Sequence, residues 1–297
     1  MKLARFQRDG QIDTGIVEGD TITPLGQPDM IALIESGLET IRDRAQATVE
    51  RVPLAGVRLL APLRPGKYLA IGMNYARHNA EMGREGPPPK QYWFNKQTTC
   101  IAGPFDPIDP GVSQQVDYEV ELGVVIGRKV KSSTAEEAMK FVFGYLVAND
   151  VSARDWQKHS PTFTIGKSFD THGPIGPWIV TADEIADPQA LALRSLVNGE
   201  VRQESNTNNM LHSVAQQIEY LSTAMTLEPG DLIATGTPEG VGAGMDPPRF
   251  LQPGDVVRCE IDRIGAIENR VVSPAKAKRP SCKAQKERGT LPGGDSP

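Results

Sequence analysis

The stretch VDYEVELGVVIG, from Val116 to Gly127, decides the fold because its apolar residues are typical of a buried β-strand. The same stretch holds two acids, Glu119 and Glu121. Side chains alternate between the two faces of a strand, so these acids should point the same way, roughly 7 Å apart. The apolar continuation favours a strand that is covered on both faces. Two like charges on a covered face repel and lose hydration, which predicts a cation between them.

A third acid, Asp150, ends the next predicted strand, FGYLVAND. Alone, such an Asp is usually a turn residue, and a strand with two acids is ordinarily an edge strand in water. Together with Glu119 and Glu121, however, Asp150 would complete a set of three oxygen ligands. Hard divalent ions such as Mg²⁺ prefer oxygen ligands, and the chain lacks the His/Cys spacing of a zinc site. The acids therefore predict a site for a hard divalent ion.

The composition limits the class of protein. The chain has 297 residues, 39% of them hydrophobic and 23% charged, and a formal net charge of −5, which argues against a nucleic-acid surface. No apolar run approaches the ~18 residues of a membrane span, and no export signal is recognisable. The three cysteines lie far apart without metal-type spacing. We expect a soluble protein of the reducing cytoplasm, with no nucleic-acid or membrane partner.

The distribution of short apolar runs predicts three parts of the chain. Residues 1–61 read as short strands followed by a helix, and form a small N-terminal α/β domain. Residues 62–272 contain mostly short strands bounded by Gly, Pro or Asp, with two helices between them. This pattern predicts a β-rich α+β domain. Residues 273–297 carry six Lys/Arg against two acids and no apolar period, and are expected to form a disordered basic tail.

Further polar residues mark the chemistry. His78 and Glu81 are spaced i, i+3 and would share one face of a helix, where the carboxylate could orient the imidazole as a base. The following segment MGREGPPP predicts a mobile loop or lid. Lys167 lies between two loop-forming clusters in TIGKSFDTHGPIGP. The Thr/Gly loop in DLIATGTPEGVGAG could offer backbone amides to an anion, but it is not a nucleotide-binding fingerprint.

The ordered motifs GMNYARHNAE, VDYEVELGVVIGR, GYLVANDVSARDWQ, GKSFDTHGPIGPWIV, VNGEVRQESNTNNM and LEPGDLIATGTPEGVG closely resemble the fumarylacetoacetate hydrolase family. The resemblance extends from about Pro62 to Val272. It implies a β-roll catalytic domain, a homodimer and a divalent ion held by three carboxylates. That ion is usually Mg²⁺, with Mn²⁺ and Ca²⁺ as alternatives. The carboxylates match Glu119, Glu121 and Asp150, which would answer why a buried strand carries two acids.

The resemblance also assigns roles to the remaining polar residues. The water-activating dyad of the family matches His78 and Glu81, and its catalytic lysine matches Lys167. The substrate-contacting residues match Arg154, Gln157 and Thr237. The family members that act on fumarylacetoacetate carry a tyrosine shortly after the glutamine, where this chain reads KHSPTF. The distal group of the substrate is therefore left open.

The implied reaction is metal-dependent hydrolysis of the C–C bond of a 2,4-diketo acid, giving pyruvate or a related keto acid and a carboxylic acid. The alternative is an isomerase or decarboxylase of a 2-hydroxymuconate-type or oxaloacetate-like diacid, because the same site can stabilise enolate charge. The expected partner is thus a small keto acid. From the repulsion between the acids, we expect Glu119→Gln to lower metal affinity while relieving strain in the metal-free protein.

Overall fold

Strands dominate the computed structural model, which describes residues 1–274; the tail predicted for residues 273–297 lies outside this range from residue 275 onward. Nine strands lie before residue 118: Lys2–Arg8 (β1), Gln11–Glu18 (β2), Thr21–Pro24 (β3), Val52–Pro53 (β4), Arg58–Leu60 (β5), Tyr68–Gly72 (β6), Tyr92–Lys96 (β7), Ile101–Ala102 (β8) and Val116–Asp117 (β9). Nine more follow from residue 120 onward: Val120–Ile126 (β10), Val142–Asn149 (β11), Ser152–Ala153 (β12), Gly173–Thr181 (β13), Ala192–Val197 (β14), Glu200–Asn206 (β15), Leu232–Ala234 (β16), Val256–Ile261 (β17) and Gly265–Arg270 (β18).

Five α-helices connect or cover these strands: Met30–Ala47 (α1), Ala76–Glu81 (α2), Ala135–Ala138 (α3), Arg154–Gln157 (α4) and Val214–Ala224 (α5). Helix α1 is interrupted at Gly37, whose φ of 83° lies in the left-handed region. Helix α5 begins with a capping box between Ser213 and Gln216. None of the helices within residues 1–274 is long and apolar enough to cross a membrane.

The strands form one large sheet, one four-stranded sheet and one short pair. The large sheet has the order β4-β3-β2-β1-β13-β11-β10-β16-β6-β7, with β5 added beside β1 and β8 beside β13. The four-stranded sheet has the order β15-β14-β17-β18, and β9 pairs with β12. The predicted β-rich α+β class is confirmed. Because β1 pairs with β13, the strands of residues 1–61 extend the same sheet as those of the body.

Strand β10 is covered on both faces, as its apolar sequence predicts. Val120, Leu122, Val124 and Ile126 pack in one core with residues of β14 and β17. Val125 packs in a second core with residues of α1. Since side chains alternate along a strand, Glu121 faces the same way as Val125. The acid therefore projects from a covered strand into the interior, where it is 1% exposed.

The predicted single strand over residues 116–127 is wrong in one respect. The chain leaves the strand conformation at Tyr118 and Glu119, between β9 and β10. The break arises because β9 pairs with β12, whereas β10 pairs with β11, so the chain changes partner at this point. Glu119 and Glu121 therefore do not belong to one regular strand, and strand alternation alone cannot give the distance between them.

Candidate active site

Three buried carboxylates converge where β10 and β11 meet. Glu119, Glu121 and Asp150 each offer an oxygen atom, and these atoms lie within 4.8 Å of one another. All three residues are at most 4% exposed. The backbone N–H of Asp150 donates to the carbonyl of Glu119 at 2.9 Å, and the N–H of Glu119 donates to the side-chain oxygen of Asn149 at 3.0 Å. These two bonds hold the strand break against the end of β11, which brings the acids together.

Two buried lysines contact the carboxylate cluster. The Lys167 Nζ donates to Glu119 Oε2 at 2.6 Å and to Asp150 Oδ2 at 2.7 Å. The Lys96 Nζ donates to Asp150 Oδ1 at 2.5 Å. Asp150 thus has an ammonium group at each of its oxygens. Carboxylate oxygens have two lone pairs each, so these contacts leave room for a further cation.

Lys96 was not found by sequence reasoning. It ends β7, a strand at the edge of the large sheet, yet it is 2% exposed. The only signal is the alternation in YWFNK, which places Lys96 on the same face as the buried Phe94. A lysine on the buried face of a strand needs an acid partner, and that need points to a buried charge cluster.

Arg154 is held by other side chains of the site. Its Nε donates to Asp117 Oδ2 at 2.9 Å, and one terminal nitrogen lies 2.6 Å from Glu119 Oε1. The other terminal nitrogen donates to Gln157 Oε1 at 3.2 Å. The predicted substrate contacts Arg154 and Gln157 therefore contact each other beside the acid cluster. The buried Asp117, which sequence reasoning also missed, holds Arg154 in place.

The two glutamates have opposite electrostatic environments. Burial would raise the pKa of Glu119, but the charges of Lys167 and Arg154 outweigh it and hold the pKa below its usual range. Burial raises the pKa of Glu121 well above its usual range, and the charges of Asp150 and Glu119 raise it further. The difference arises because Glu119 has two basic partners, whereas no basic side chain within residues 1–274 lies at ion-pair distance from Glu121.

The charge balance of the cluster favours a bound cation. Four buried carboxylates face three buried basic groups, so the cluster lacks positive charge, and the deficit falls on Glu121. Three converging carboxylates are also the donor set that a hard divalent ion takes. The acids are Asp117, Glu119, Glu121 and Asp150, and the basic residues are Lys96, Arg154 and Lys167.

The predicted pairing of His78 with Glu81 is present on helix α2. His78 Nδ1 lies 2.7 Å from Glu81 Oε1, and Glu81 Oε2 accepts a bond from the backbone N–H of Gly240 at 2.8 Å. With Nδ1 bound to Glu81, Nε2 is the ring nitrogen left for a substrate. His78 lines a cavity of about 160 Å³ together with Glu119, Glu121 and Lys167. The dyad and the carboxylate cluster thus share one cavity.

The glycine-rich loop of residues 236–243 binds the carboxylates of the chain itself. Its backbone amides donate to Glu121, to Glu81 and to Asp117 at 2.8 to 3.0 Å. The four donors are Gly236, Gly240, Gly242 and Ala243. The anions that this loop binds are therefore carboxylates of the site itself. The loop amides fix the positions of these three side chains.

Thr237, the predicted substrate contact of this loop, is also held by the chain. Its hydroxyl donates to the carbonyl of Val120 at 3.0 Å and accepts from Gln203 Nε2 at 2.8 Å. Gln203 is buried and also accepts from the N–H of Val120 at 3.0 Å. Thr237 lines the cavity, but its hydroxyl hydrogen is already used.

Gly240→Ala is expected to destabilise the protein by more than about 3 kcal/mol, because an added Cβ would overlap the backbone carbonyl of Arg202. Gly254→Ala is the matched control: Gly254 has a φ of 101°, against 99° for Gly240, but open space around it. Gly254→Ala should lower the stability only by the strain of placing alanine at a positive φ, about 1–2 kcal/mol. Urea unfolding measures both values. Equal losses would show that the loop can shift away from Arg202.

Comparison with known proteins identifies the family. The family model described as fumarylacetoacetate (FAA) hydrolase C-terminal matches residues 67–272, and the model described as Rv2993c-like, N-terminal matches residues 1–62. A mitochondrial oxaloacetate tautomerase of Xenopus laevis is 46% identical over 258 residues, which are 85% of this chain and 80% of the relative. The chain therefore belongs to the fumarylacetoacetate hydrolase family, and the resemblance found in its motifs is confirmed.

Solved structures agree with this membership. The fumarylacetoacetate hydrolase of Exiguobacterium antarcticum superposes with a TM-score of 0.83 at 41% identity, covering 92% of this chain and 99% of the other. The maleylpyruvate hydrolase of Sphingobium sp. SYK-6, solved in complex with manganese(II) ion and pyruvate, gives a TM-score of 0.78 at 34% identity, covering 93% and 100%. Both hydrolases and tautomerases are thus similar to this chain.

Proposed function

We propose that this member of the fumarylacetoacetate hydrolase family catalyses the keto–enol tautomerisation of a short, oxaloacetate-like 2-keto acid with the help of a divalent cation. The observation that carries the proposal is the cluster of three buried carboxylates beside the cavity that also holds His78 and Lys167. The cluster lacks positive charge, and a substrate bound next to it would meet a base and an ammonium group at once.

The cation would be held by Glu119, Glu121 and Asp150. When bound, it supplies Lewis-acid chemistry for the carboxylate and 2-keto oxygens of a 2-keto acid. Mg²⁺ is our first choice and Mn²⁺ our second, because all three donors are oxygens and the similar maleylpyruvate hydrolase was solved with manganese.

Lys167 is suited to stay charged beside the substrate. Burial would lower the pKa of its ammonium group, but Asp150 and Glu119 outweigh burial and raise it. Lys167 is therefore a hydrogen-bond donor and not a base. Two of its three N–H bonds are used by the acids, and the third is left for a substrate oxygen.

His78 is the group placed to move the proton. Glu81 orients its imidazole through Nδ1, so Nε2 can take the proton from C3 of the keto form and deliver it to the 2-keto oxygen to give the enol, or move it the opposite way. Glu81 is itself fixed by the amide of Gly240. This arrangement keeps the base in one orientation at the cavity wall.

The size of the cavity supports a short substrate. At about 160 Å³ it is smaller than the roughly 300–1,000 Å³ of pockets for drug-sized ligands. A four-carbon keto acid suits this volume better than the longer 2-hydroxymuconate-type diacids. The relative from Xenopus laevis, named an oxaloacetate tautomerase, supports the same choice.

The second candidate is hydrolysis of a 2,4-diketo acid, and the His78–Glu81 pair favours it. In that reaction His78 would deprotonate a water molecule for attack on the C4 carbonyl, and pyruvate would be released. The similar maleylpyruvate hydrolase, solved with pyruvate, supports this reading. Both reactions use the same carboxylate cluster and Lys167, so they differ in what His78 deprotonates.

The proposed reaction predicts metal-dependent tautomerisation of oxaloacetate. Protein stripped of metal should convert the enol to the keto form no faster than buffer, and addition of Mg²⁺ should restore the rate. Enol absorbance follows the reaction, with Mg²⁺ in buffer alone as the control for the uncatalysed rate. Release of pyruvate from acetylpyruvate, without tautomerisation of oxaloacetate, would replace the proposal by its hydrolase alternative.

A further inference from the structure

The basic groups that line the cavity fall into two sets. Arg154 and Lys167 lie at its base and are bound to the buried carboxylates Asp117, Glu119 and Asp150. Arg84 and Lys158 also line the cavity, but both are exposed. Within residues 1–274, neither Arg84 nor Lys158 has an acidic partner at ion-pair distance, although twenty such pairs occur elsewhere in that part of the chain, so their charge stands free beside the cavity.

The two exposed residues come from different parts of the chain. Arg84 lies in the loop after α2, where its backbone N–H donates to the carbonyl of Asn79 at 3.0 Å. Lys158 follows directly after α4. Their presence on one small cavity is thus a product of the fold and not of sequence proximity. It gives the cavity a base lined by acids and a mouth lined by basic groups.

The cavity also has an apolar section. Met82, Phe94 and Phe163 line the cavity together with the charged residues. Such a wall suits the carbon skeleton of a ligand and keeps water away from the buried charges at the base, which strengthens their interactions. A ligand with a chelating group at one end and a negative charge at the other would match all three sections.

We propose that Arg84 and Lys158 bind the distal carboxylate of the substrate and thereby select a 2-keto diacid over a 2-keto acid with an uncharged end. The inference rests on the proposed function for the position of the 2-keto group, at the carboxylate cluster. The distal carboxylate then lies at the mouth, where Arg84 can donate two parallel N–H bonds and Lys158 adds a point charge.

The test is a binding experiment that requires no turnover. Malate and its 4-methyl ester share the four-carbon skeleton of oxaloacetate and cannot enolise, and they differ in the distal charge. Calorimetry with the Mg²⁺-saturated protein gives both affinities for the wild type, Arg84→Ala and Lys158→Ala. Lys90→Ala is the matched control, because Lys90 is an exposed basic residue of the same loop region that does not line the cavity.

The wild type should bind malate about tenfold more tightly than the ester, since hydrogen bonds to a charged group are stronger than those to a neutral one. Arg84→Ala and Lys158→Ala should each remove most of this preference by weakening malate binding while leaving the ester unaffected. Lys90→Ala should leave both affinities unchanged.

Equal affinities of the wild type for both compounds, or equal losses for both in the variants, would overturn the inference. Failure of the proposed reaction has a different signature. If the protein prefers malate through Arg84 and Lys158 but does not tautomerise oxaloacetate, the diacid site is supported and the tautomerase assignment is wrong.

Discussion

Glu121→Gln should nearly abolish binding of Mg²⁺ and, at the same time, stabilise the metal-free protein. Loss of a ligand should lower affinity by more than about a hundredfold, since loss of outer-sphere partners alone costs 10–100-fold. The stability gain, about 1–3 kcal/mol, follows because Glu121 is a buried carboxylate without a basic partner. Calorimetric titration with Mg²⁺ measures the affinity, and urea unfolding in a chelator measures the stability.

Glu119→Gln is the matched comparison, because the same isosteric change is made two residues away. It should also weaken metal binding, but it should destabilise the metal-free protein by about 3–5 kcal/mol, because Lys167 and Arg154 lose a buried partner. The sequence-based expectation was that Glu119→Gln relieves repulsion in the metal-free protein. The structure instead assigns that effect to Glu121→Gln. Stability changes of the same sign in both variants would contradict this charge assignment.

The pH dependence of the metal-free protein provides a second readout. A carboxyl whose pKa is raised in the folded state binds its proton more tightly there than in the unfolded chain. Its contribution to stability is therefore greatest below the unfolded pKa of about 4.3 and is lost as the pH rises through the raised folded pKa. The stability gap between Glu121→Gln and the wild type should thus widen as the pH increases above about 4. A constant gap would contradict the raised pKa of Glu121.

His78→Ala should reduce tautomerisation of oxaloacetate by a factor on the order of 10² to 10⁴, the usual contribution of a positioned acid or base. Mg²⁺ affinity and stability should change little, because His78 contacts Glu81 and not the three proposed ligands. Glu81→Gln is the graded control, since its amide oxygen can still accept the bond from Gly240 but the carboxylate charge is lost. It should lose less activity than His78→Ala.

Decarboxylation of oxaloacetate distinguishes the role of His78 from that of the cation site. Loss of CO₂ requires no proton removal from C3, so any such activity should survive His78→Ala to a much greater extent than tautomerisation does. Lys167→Ala should reduce both, because Lys167 contacts the cluster that binds the substrate. Equal loss of both reactions in His78→Ala would assign His78 to substrate positioning.

The covered strand β10 could be predicted from its sequence because a buried strand needs apolar residues on both faces, and Val120 to Ile126 provide them. The break at Glu119 could not, because it depends on β9 and β12 pairing across long sequence separation. Glu119 and Glu121 could be predicted because a carboxylate is unexpected in a covered strand, and Asp150 because it completes their ligand set, whereas Asp117 was missed. Their convergence is set by the contact between Glu119 and Asp150, which no local pattern encodes.

The basic side of the site was harder to predict than the acidic side. Lys96 sits in an edge strand, where lysines are ordinarily solvated, so its burial depends on residues distant in sequence. The partners of the loop amides could not be predicted for a similar reason. A glycine-rich loop predicts anion binding, but only the fold places Glu121, Glu81 and Asp117 against it.

The central claim is that Glu119, Glu121 and Asp150 hold a divalent cation. A crystal of the protein grown with Mn²⁺ tests it most directly, because anomalous scattering locates manganese without reference to activity. We predict one strong anomalous peak in contact with oxygen atoms of all three carboxylates, at the cavity lined by His78 and Lys167. Lack of a peak there at saturating Mn²⁺, with Lys167 still bridging Glu119 and Asp150, would contradict it.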